Sequence, residues 1–542
     1  TREPPYFRYG DLLDLRGEIS EPPVLEYFDW REHLAREGIH SLITRPRVTF
    51  LAADKGGAAL GFIYNLRTDL ARGVAHALPE PQASLSHAML LGVRSTLPSE
   101  LREDLASTGT THLIAISGLH VGIIVGVVSG ISLSVFGRRR HLYILIPLLF
   151  IWGYALLTGM GPPVLRASIM GSLYLWALYL GRQRSAFVPL AGAAAVMVAI
   201  DPDALYDVSF QLSFLAMAGL ILLAPWLQVA GRLAFARTGM PEGWPRSLAL
   251  LALDATAISL AAILATMPVV AFNFHQVPLV GLPATLAVLP ALPLILVTSL
   301  LVALVGLFAP VLAQALGWIA WPWLTYMVGV VELFSWVPAL SADLGSAAVP
   351  LAWAYYFAAA LGLWLLHKKW GSLLWRSGGY LPSAAQPELA YSVPKRLLSW
   401  RRWAVVAGVV PLLLFVSIAM GQPSDRLRVT FLDVGQGDSI LVQTPSQKTV
   451  LIDGGPAFGL LALELGQWLP FWDRTLDLVV LTHPDGDHVN GLIELLGRYD
   501  VEQVIHCGID CTTDGNDFNY LTWRSALSRE GVEPLDAEAG QV

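Results

Sequence analysis

The chain has 542 residues, 54% of them hydrophobic and only 14% charged, and its mean hydropathy is +0.55. Soluble domains carry about 25% charged residues, so the composition excludes an ordinary water-soluble enzyme and points to a chain that crosses a membrane several times. The net charge of −7 conceals a segregation: residues 421–542 hold 19 acidic and 7 basic side chains, while the upstream basic residues cluster in a few short loops.

The N-terminal region, 1–57, is polar and strand-like. "YGDLLDLRGEIS" and "HSLITRPRVTFLAA" read as strands around a short amphipathic helix, "FDWREHLAREG". That is too little for a full core, so it reads as part of a small β domain. Residues 58–110 read as an amphipathic helical connector. "LPSELREDLAST" opens with proline and acidic residues, as a helix start prefers.

From about 111 the character changes. Apolar stretches occur at 113–136, 142–160, 163–181, 186–200, 208–228, 248–272, 277–308, 311–339, 348–366 and 403–420. A span needs about 20 apolar residues, and roughly ten spans are expected between 111 and 420. Arg138–Arg140, Arg182, Arg184, Arg232, Arg237, Arg246 and the basic stretch 367–402 fall in every second loop, and "DPDALYD", "NFHQVP" and "SADLGSA" between them lack Lys and Arg. The positive-inside rule places the basic loops in the cytoplasm. It places both terminal regions outside it.

Three membrane segments carry polar residues that need a reason. In "AISGLHVGIIVGVVSG", Gly118, Gly122, Gly126 and Gly130 recur every fourth residue, the small-residue stripe that lets helices approach closely. Ser117 and His120 lie three apart on that helix, either as a packing pair or as the lining of a water-filled path. In "LYDVSFQLSFLA", Asp207 and Gln211 share one helical face and Ser209 and Ser213 another. Arg166 enters an apolar stretch from the outside. Buried membrane charges are expensive, and Asp254 and Glu332 are its candidate partners. Interhelical bonding that only fixes the fold is the plainer alternative.

Residues 421–542 read as a soluble α/β domain. Strands alternate with Gly, Pro and Ser turns, and the buried-type strand "LDLVVLTH" delivers "THPDGDHVNG" into a loop before a helix. His483, Asp485, Asp487 and His488 are four candidate ligands in six positions. Imidazole and carboxylate are donors for zinc or manganese. The alternative is a polar turn in which Asp485 or Asp487 caps the next helix. Asp433, Asp438 and Asp453 stand at other strand ends and could line the same cleft. "DVGQGDS" suits a backbone that approaches another group closely, but it is no phosphate loop. Cys507 and Cys511 exclude a disulfide framework and leave open a small disulfide or two free thiols. No signal peptide is read, and the abrupt ends read as those of a fragment.

Taken together, "FDWREHLAREGI", "HLIAISGLHVG", "DVSFQLSFLA" and "LDVGQGDSILV…LIDGGP…LTHPDGDHVNG", in that order, resemble the ComEC family, the DNA-internalisation proteins of competent bacteria. The resemblance covers nearly the whole chain. It implies a partial OB-like domain at 1–57, a channel domain at 111–420 and the first half of a metallo-β-lactamase-like domain at 421–542. Both soluble domains would lie outside the cytoplasmic membrane. It implies passage of single-stranded DNA, with the outer domain degrading the strand left outside. Membrane lipid, other DNA-uptake proteins and further copies of the chain are the remaining expected partners.

The superfamily's His-x-His-x-Asp-His motif falls on His483, Asp485, Asp487 and His488, with Asp487 catalytic and Asp453 and Asp433 supporting the loop. Asp485 replaces the second histidine, which favours manganese or magnesium over zinc. The fold's later ligands fall beyond the given residues, so the expected divalent-metal site is incomplete as given. "VGLPATLAVLP" lacks the asparagine that the resemblance leads one to expect. Ser117, His120, Arg166, Asp207, Ser209 and Gln211 are the channel candidates. A membrane-anchored metal-dependent nuclease without transport, or a non-catalytic gate for DNA, are the competing readings.

Overall fold

The computed structural model describes residues 9–376 and 426–537, apart from short stretches within 26–37 and at 45, 54, 138–140, 181–185, 239, 242, 275, 278–279, 338–339, 342–347, 471 and 507–516. Three two-stranded antiparallel ladders form near the N-terminus: Leu12–Arg16 with Arg47–Ala52, Ile19–Ser20 with Leu42–Ile43, and Val24–Leu25 with Phe28–Asp29. They do not join into one barrel among the described residues. Leu12, Leu15, Ile19, Phe50 and Leu51 stay exposed, so the expected OB-like closure is not seen.

Fourteen helices of eight or more residues follow among the described residues. They are α1 Ala58–Ala77, α2 Gln82–Leu91, α3 Ser99–Ser107, α4 Gly118–Phe136, α5 Leu142–Leu157, α6 Pro162–Tyr179, α7 Phe187–Ile200, α8 Val208–Leu222, α9 Ala224–Ala236, α10 Trp244–Phe274, α11 Gly281–Val288, α12 Leu292–Gly306, α13 Pro310–Ser335 and α14 Ala348–Arg376. Three stretches, Thr111–Phe136, Pro245–Phe274 and Pro310–Ser335, are long and apolar enough to cross a membrane. The count reaches five if the bent pairs α8–α9 (45°) and α11–α12 (53°) each make one span. Ten spans are therefore more than the described helices support by length and composition. At 1.5 Å per residue, the 16 residues of α5 and 14 of α7 reach about 24 and 21 Å, short of a hydrocarbon core of about 30 Å. The stretch 403–420 and the loops holding Arg138–Arg140, Arg182 and Arg184 lie outside the described residues.

One hydrophobic cluster joins α1, α2 and α3 to α4, α12 and α13, through Val74, Leu85, Leu105, Ile124, Leu292 and Leu324. Backbones meet where glycine permits it. A Cβ on Gly306 would lie 2.6 Å from the Gly73 Cα, so α1 and α12 cross at van der Waals distance only because both residues are glycine.

The C-terminal domain is a six-stranded sheet in unbroken sequence order: β1 Arg428–Phe431, β2 Ile440–Gln443, β3 Thr449–Ile452, β4 Thr475–Leu481, β5 Asp500–His506 and β6 Pro534–Asp536. β1–β2–β3 is an antiparallel meander, and β3 to β6 pair in parallel. Parallel neighbours need crossovers, and α15 Phe458–Trp468, α16 Gly486–Leu495 and α17 Asp517–Glu530 supply them. Leu441, Leu451, Leu476 and Val479 of the sheet pack with Leu461, Leu465, Leu492 and Trp523 of these helices, all fully buried. The loops after β3 and β4 therefore open at one edge, where α/β folds place their sites.

Candidate metal centre and membrane polar cluster

Asp453 follows β3, and the Thr482–His488 loop follows β4. The two meet through a buried carboxylate. Asp453 Oδ1 accepts the Thr482 N–H at 2.8 Å, and Oδ2 accepts the Thr482 hydroxyl at 2.6 Å and pairs with His488 Nδ1 at 3.0 Å. Thr482 Oγ1 also lies 2.9 Å from His483 Nδ1. The two imidazole centroids are 4.0 Å apart. Asp453 sits at φ 56°, a left-handed conformation uncommon outside glycine, which the flanking bonds hold in place.

Ligand atoms of Asp453, His483 and His488 lie within 4.8 Å of one another. Asp453 is the weakest ligand of the three, because its buried oxygens are already engaged. It is better placed as the carboxylate behind a ligating histidine, which fixes the ring and its tautomer. The outward donors are His483 Nε2, 3.3 Å from Asp485 Oδ2, and His488 Nε2, 4.0 Å from Asp487 Oδ2. Asp485 occupies the N-cap position of α16 yet makes no side-chain cap bond, so simple capping does not account for it. Asp485 and Asp487 are half-exposed and each approaches one imidazole, but neither joins the group of ligand atoms formed by Asp453, His483 and His488; imidazole and carboxylate donors of this kind suit a divalent cation.

Glycines seat this loop, as the close-approach reading of "DVGQGDS" expects. Gly437 of "DVGQGDS" (φ 132°) has no room for a Cβ beside the Asp487 carbonyl. Gly491 of α16 likewise abuts the Gly454 carbonyl, and the Gly454 N–H donates to the His488 carbonyl at 2.7 Å. Asp433 accepts the Gly435 N–H within its own turn at 3.3 Å and joins no metal-ligand group among the described residues. Thr482 was not singled out from the sequence. Its only signal is its place between the strand and His483. Cys507 and Cys511 lie outside the described residues.

In the helical region, Ser117 precedes α4, and His120 Nδ1 lies 3.0 Å from its Oγ and accepts its N–H at 3.3 Å. The pair is a local helix cap, with His120 Nε2 buried and lacking a protein partner. Arg166 of α6 is buried. Its Nη1 donates to the Ser213 carbonyl of α8, its guanidinium lies 5.8 Å from the Phe214 ring, and a Cβ on Gly118 would lie 3.4 Å from its Nη2. The expected pairing of Arg166 with Asp254 or Glu332 does not form, because Asp254 bonds Arg232 at 2.6 Å.

Asp207 accepts the Phe210 N–H at 2.8 Å and caps α8. Ser209 is exposed, and Gln211 donates to the Leu205 carbonyl at 2.9 Å in a crevice lined also by Phe272, Asn273 and Trp353. Ser117, Gly118, His120 and Arg166 are thus brought together, and Asp207, Ser209 and Gln211 are not brought to them. Along the glycine stripe a Cβ on Gly118 would make ordinary contact with Arg166 and Ala167. A Cβ on Gly122 or Gly130 would meet nothing within 4 Å, and Gly126 is half-buried.

A helical region with membrane-length apolar helices and an attached α/β domain with a His/Asp loop defines a membrane protein fused to an α/β domain that carries a candidate metal loop. A family model described as Competence protein matches residues 89–369, and one described as Metallo-beta-lactamase superfamily matches residues 432–538. The first spans more than half of the chain, and the chain belongs to the competence protein family. It is 26% identical to ComE operon protein 3 of Bacillus subtilis (strain 168) over 561 aligned positions, covering 99% of this chain and 65% of that protein. It is 28% identical to competence protein ComA of Neisseria gonorrhoeae, covering 75% of this chain and 51% of that protein. It is 26% identical to recombination protein 2 of Haemophilus influenzae, covering 76% and 52%. The chain thus spans between half and two-thirds of the length of these relatives. No solved structure matches it.

Proposed function

We propose that the chain forms a polytopic channel passing single-stranded DNA across the cytoplasmic membrane, with its metallo-β-lactamase-like domain processing the non-transported strand outside. The observation that carries this reading is the ordered His483–His488 loop over buried Asp453, in a competence-family chain with helices of membrane length. The proposed organisation is a partial OB-like region at 1–57, a connector at 58–110, about ten spans at 111–420 and the hydrolase-like domain at 421–542. Loop charge supports placing both soluble parts outside.

His483, Asp485, Asp487 and His488 would hold the divalent ion, and Asp453 with Thr482 would orient His488 and His483. When bound, that ion supplies Lewis acidity and water activation suited to phosphodiester cleavage. Asp485 contributes an oxygen donor that favours manganese over zinc. Asp487, half-exposed at the start of α16, is the carboxylate best placed to face substrate. Along the path, Arg166 and His120 carry buried nitrogens without protein partners, which suit a hydrated polyanion. Lipid, other DNA-uptake proteins and further copies of the chain are the proposed partners.

A second reading is a non-catalytic gate for DNA; the 19 acidic against 7 basic residues of 421–542 argue against tight contact of this domain with phosphates without a metal or a partner. Uptake of labelled DNA by cells carrying single substitutions tests the channel. Arg166→Ala is expected to abolish uptake, and intact uptake removes that residue from the path. Asp487→Ala with normal uptake but no degradation of the outer strand supports the division of labour. Normal degradation in that variant overturns the assigned site.

A further inference from the structure

We propose that Glu80 and Arg498 are positioning residues that lock the metal-loop helix onto the helical region, making the hydrolase-like domain a fixed attachment and not a tethered one. The two are 418 residues apart in sequence, and Arg498 Nη1 donates to Glu80 Oε1 at 2.6 Å. Glu80 lies between α1 and α2 and is buried. Its other oxygen accepts the Ser84 N–H at 3.0 Å, so it also anchors the first turn of α2. Arg498 follows α16, and its guanidinium lies 4.6 Å from the Phe458 ring at the start of α15. The backbones close on each other beside the pair: Gly466 of α15 has no room for a Cβ against the Glu80 carbonyl. Pro79, Trp321, Gln467 and Pro470 line the small cleft at this seam. Gln82 extends the seat on the helical side, donating to Thr325 Oγ1 of α13 at 3.0 Å.

The consequence for the site follows from helix geometry. Asp487 and His488 start α16, and Arg498 lies just past its end. Ten helical residues span about 15 Å, so one rigid helix carries the metal loop at one end and the seat at the other. A shift of the seat is transmitted to the loop, because a packed helix moves as a body. Burial of a charge is tolerated only with a partner, so Glu80 and Arg498 each need the other. The inference does not depend on whether the loop holds a metal.

Hydrogen exchange on the full chain in lipid nanodiscs tests this, using Glu80→Gln, Arg498→Glu and the exchanged pair Glu80→Arg/Arg498→Glu. Each single substitution is expected to speed exchange in both Gln82–Leu91 and Phe458–Trp468 by about tenfold or more. Strand Thr475–Leu481 should keep its wild-type rate. The exchanged pair should slow both segments again. Wild-type rates on both sides in the single variants, a change on one side only, loss of protection through the whole sheet, or no recovery in the exchanged pair would each overturn the proposal.

Discussion

At the scale of residues, the candidate metal loop is built by what stands behind it. Asp453 holds Thr482 and His488 at once, so its loss frees both the strand end and one ring. Asp453→Asn is expected to weaken Mn²⁺ binding by about 10- to 100-fold, the range for residues behind a metal ligand. Titration followed by electron paramagnetic resonance measures it, and unchanged affinity would return Asp453 to a purely structural part. Gly491→Ala forces a Cβ into the Gly454 carbonyl. It should cost about 1–3 kcal/mol as overpacking, read as a lower unfolding midpoint. Much of this site was legible in the chain itself. Four donors in six positions after an apolar strand pointed to His483, Asp485, Asp487 and His488, and of these the two histidines are grouped with Asp453. Gly437 was legible as part of a turn suited to close backbone approach, but its contact with Asp487 was not, and neither Thr482 nor Gly491 was legible in that role. Their contribution is proximity across the fold, which no local spacing encodes.

At the scale of elements, the seam and the helix caps carry the predictions. Burial holds His76 and His87 below the ordinary histidine value, with Arg498 pushing the same way and Glu80 opposing at His87. Both bases bind fewer protons folded than unfolded, so stability falls as pH drops through the ordinary histidine range. Burial alone would raise the Glu80 carboxyl, but Arg498 and the Ser84 N–H outweigh it and pull the net value below the ordinary one. Its contribution is complete above the ordinary carboxylate range and fades below it. Exchange protection of α2, corrected for intrinsic rates, should therefore weaken between pH 7.5 and 5.5. Equal protection at both values would contradict the assignment. Ser117 and His120 illustrate the limit of sequence reading at this scale. Spacing put them on one face, yet their geometry is a helix cap, because a residue before a helix bonds locally first. Arg166 was legible as a costly buried charge. Its partner, the Ser213 carbonyl, was not, because backbone acceptors leave no trace in composition.

At the scale of the whole molecule, apolar content announced a membrane protein, and the turn-rich acidic end announced a separate α/β unit with its strands in sequence order. The number of spans was harder to read. Helix length, not hydropathy alone, decides whether a stretch crosses: α5 stops short of its apolar run at 142–160, and the run at 186–200 that forms α7 is itself short of a span. Cysteine labelling tests the orientation that loop charge implies. Asp201→Cys should react with an impermeant reagent from outside, and Arg139→Cys should not; the reverse pattern would invert the topology.

The most direct measurement is Mn²⁺-dependent cleavage of DNA by the native full-length protein and its Asp487→Ala variant, assayed in nanodiscs. The account predicts cleavage that requires Mn²⁺ and disappears in the variant. Intact DNA with the wild-type protein at saturating Mn²⁺, or equal cleavage by the variant, would contradict it.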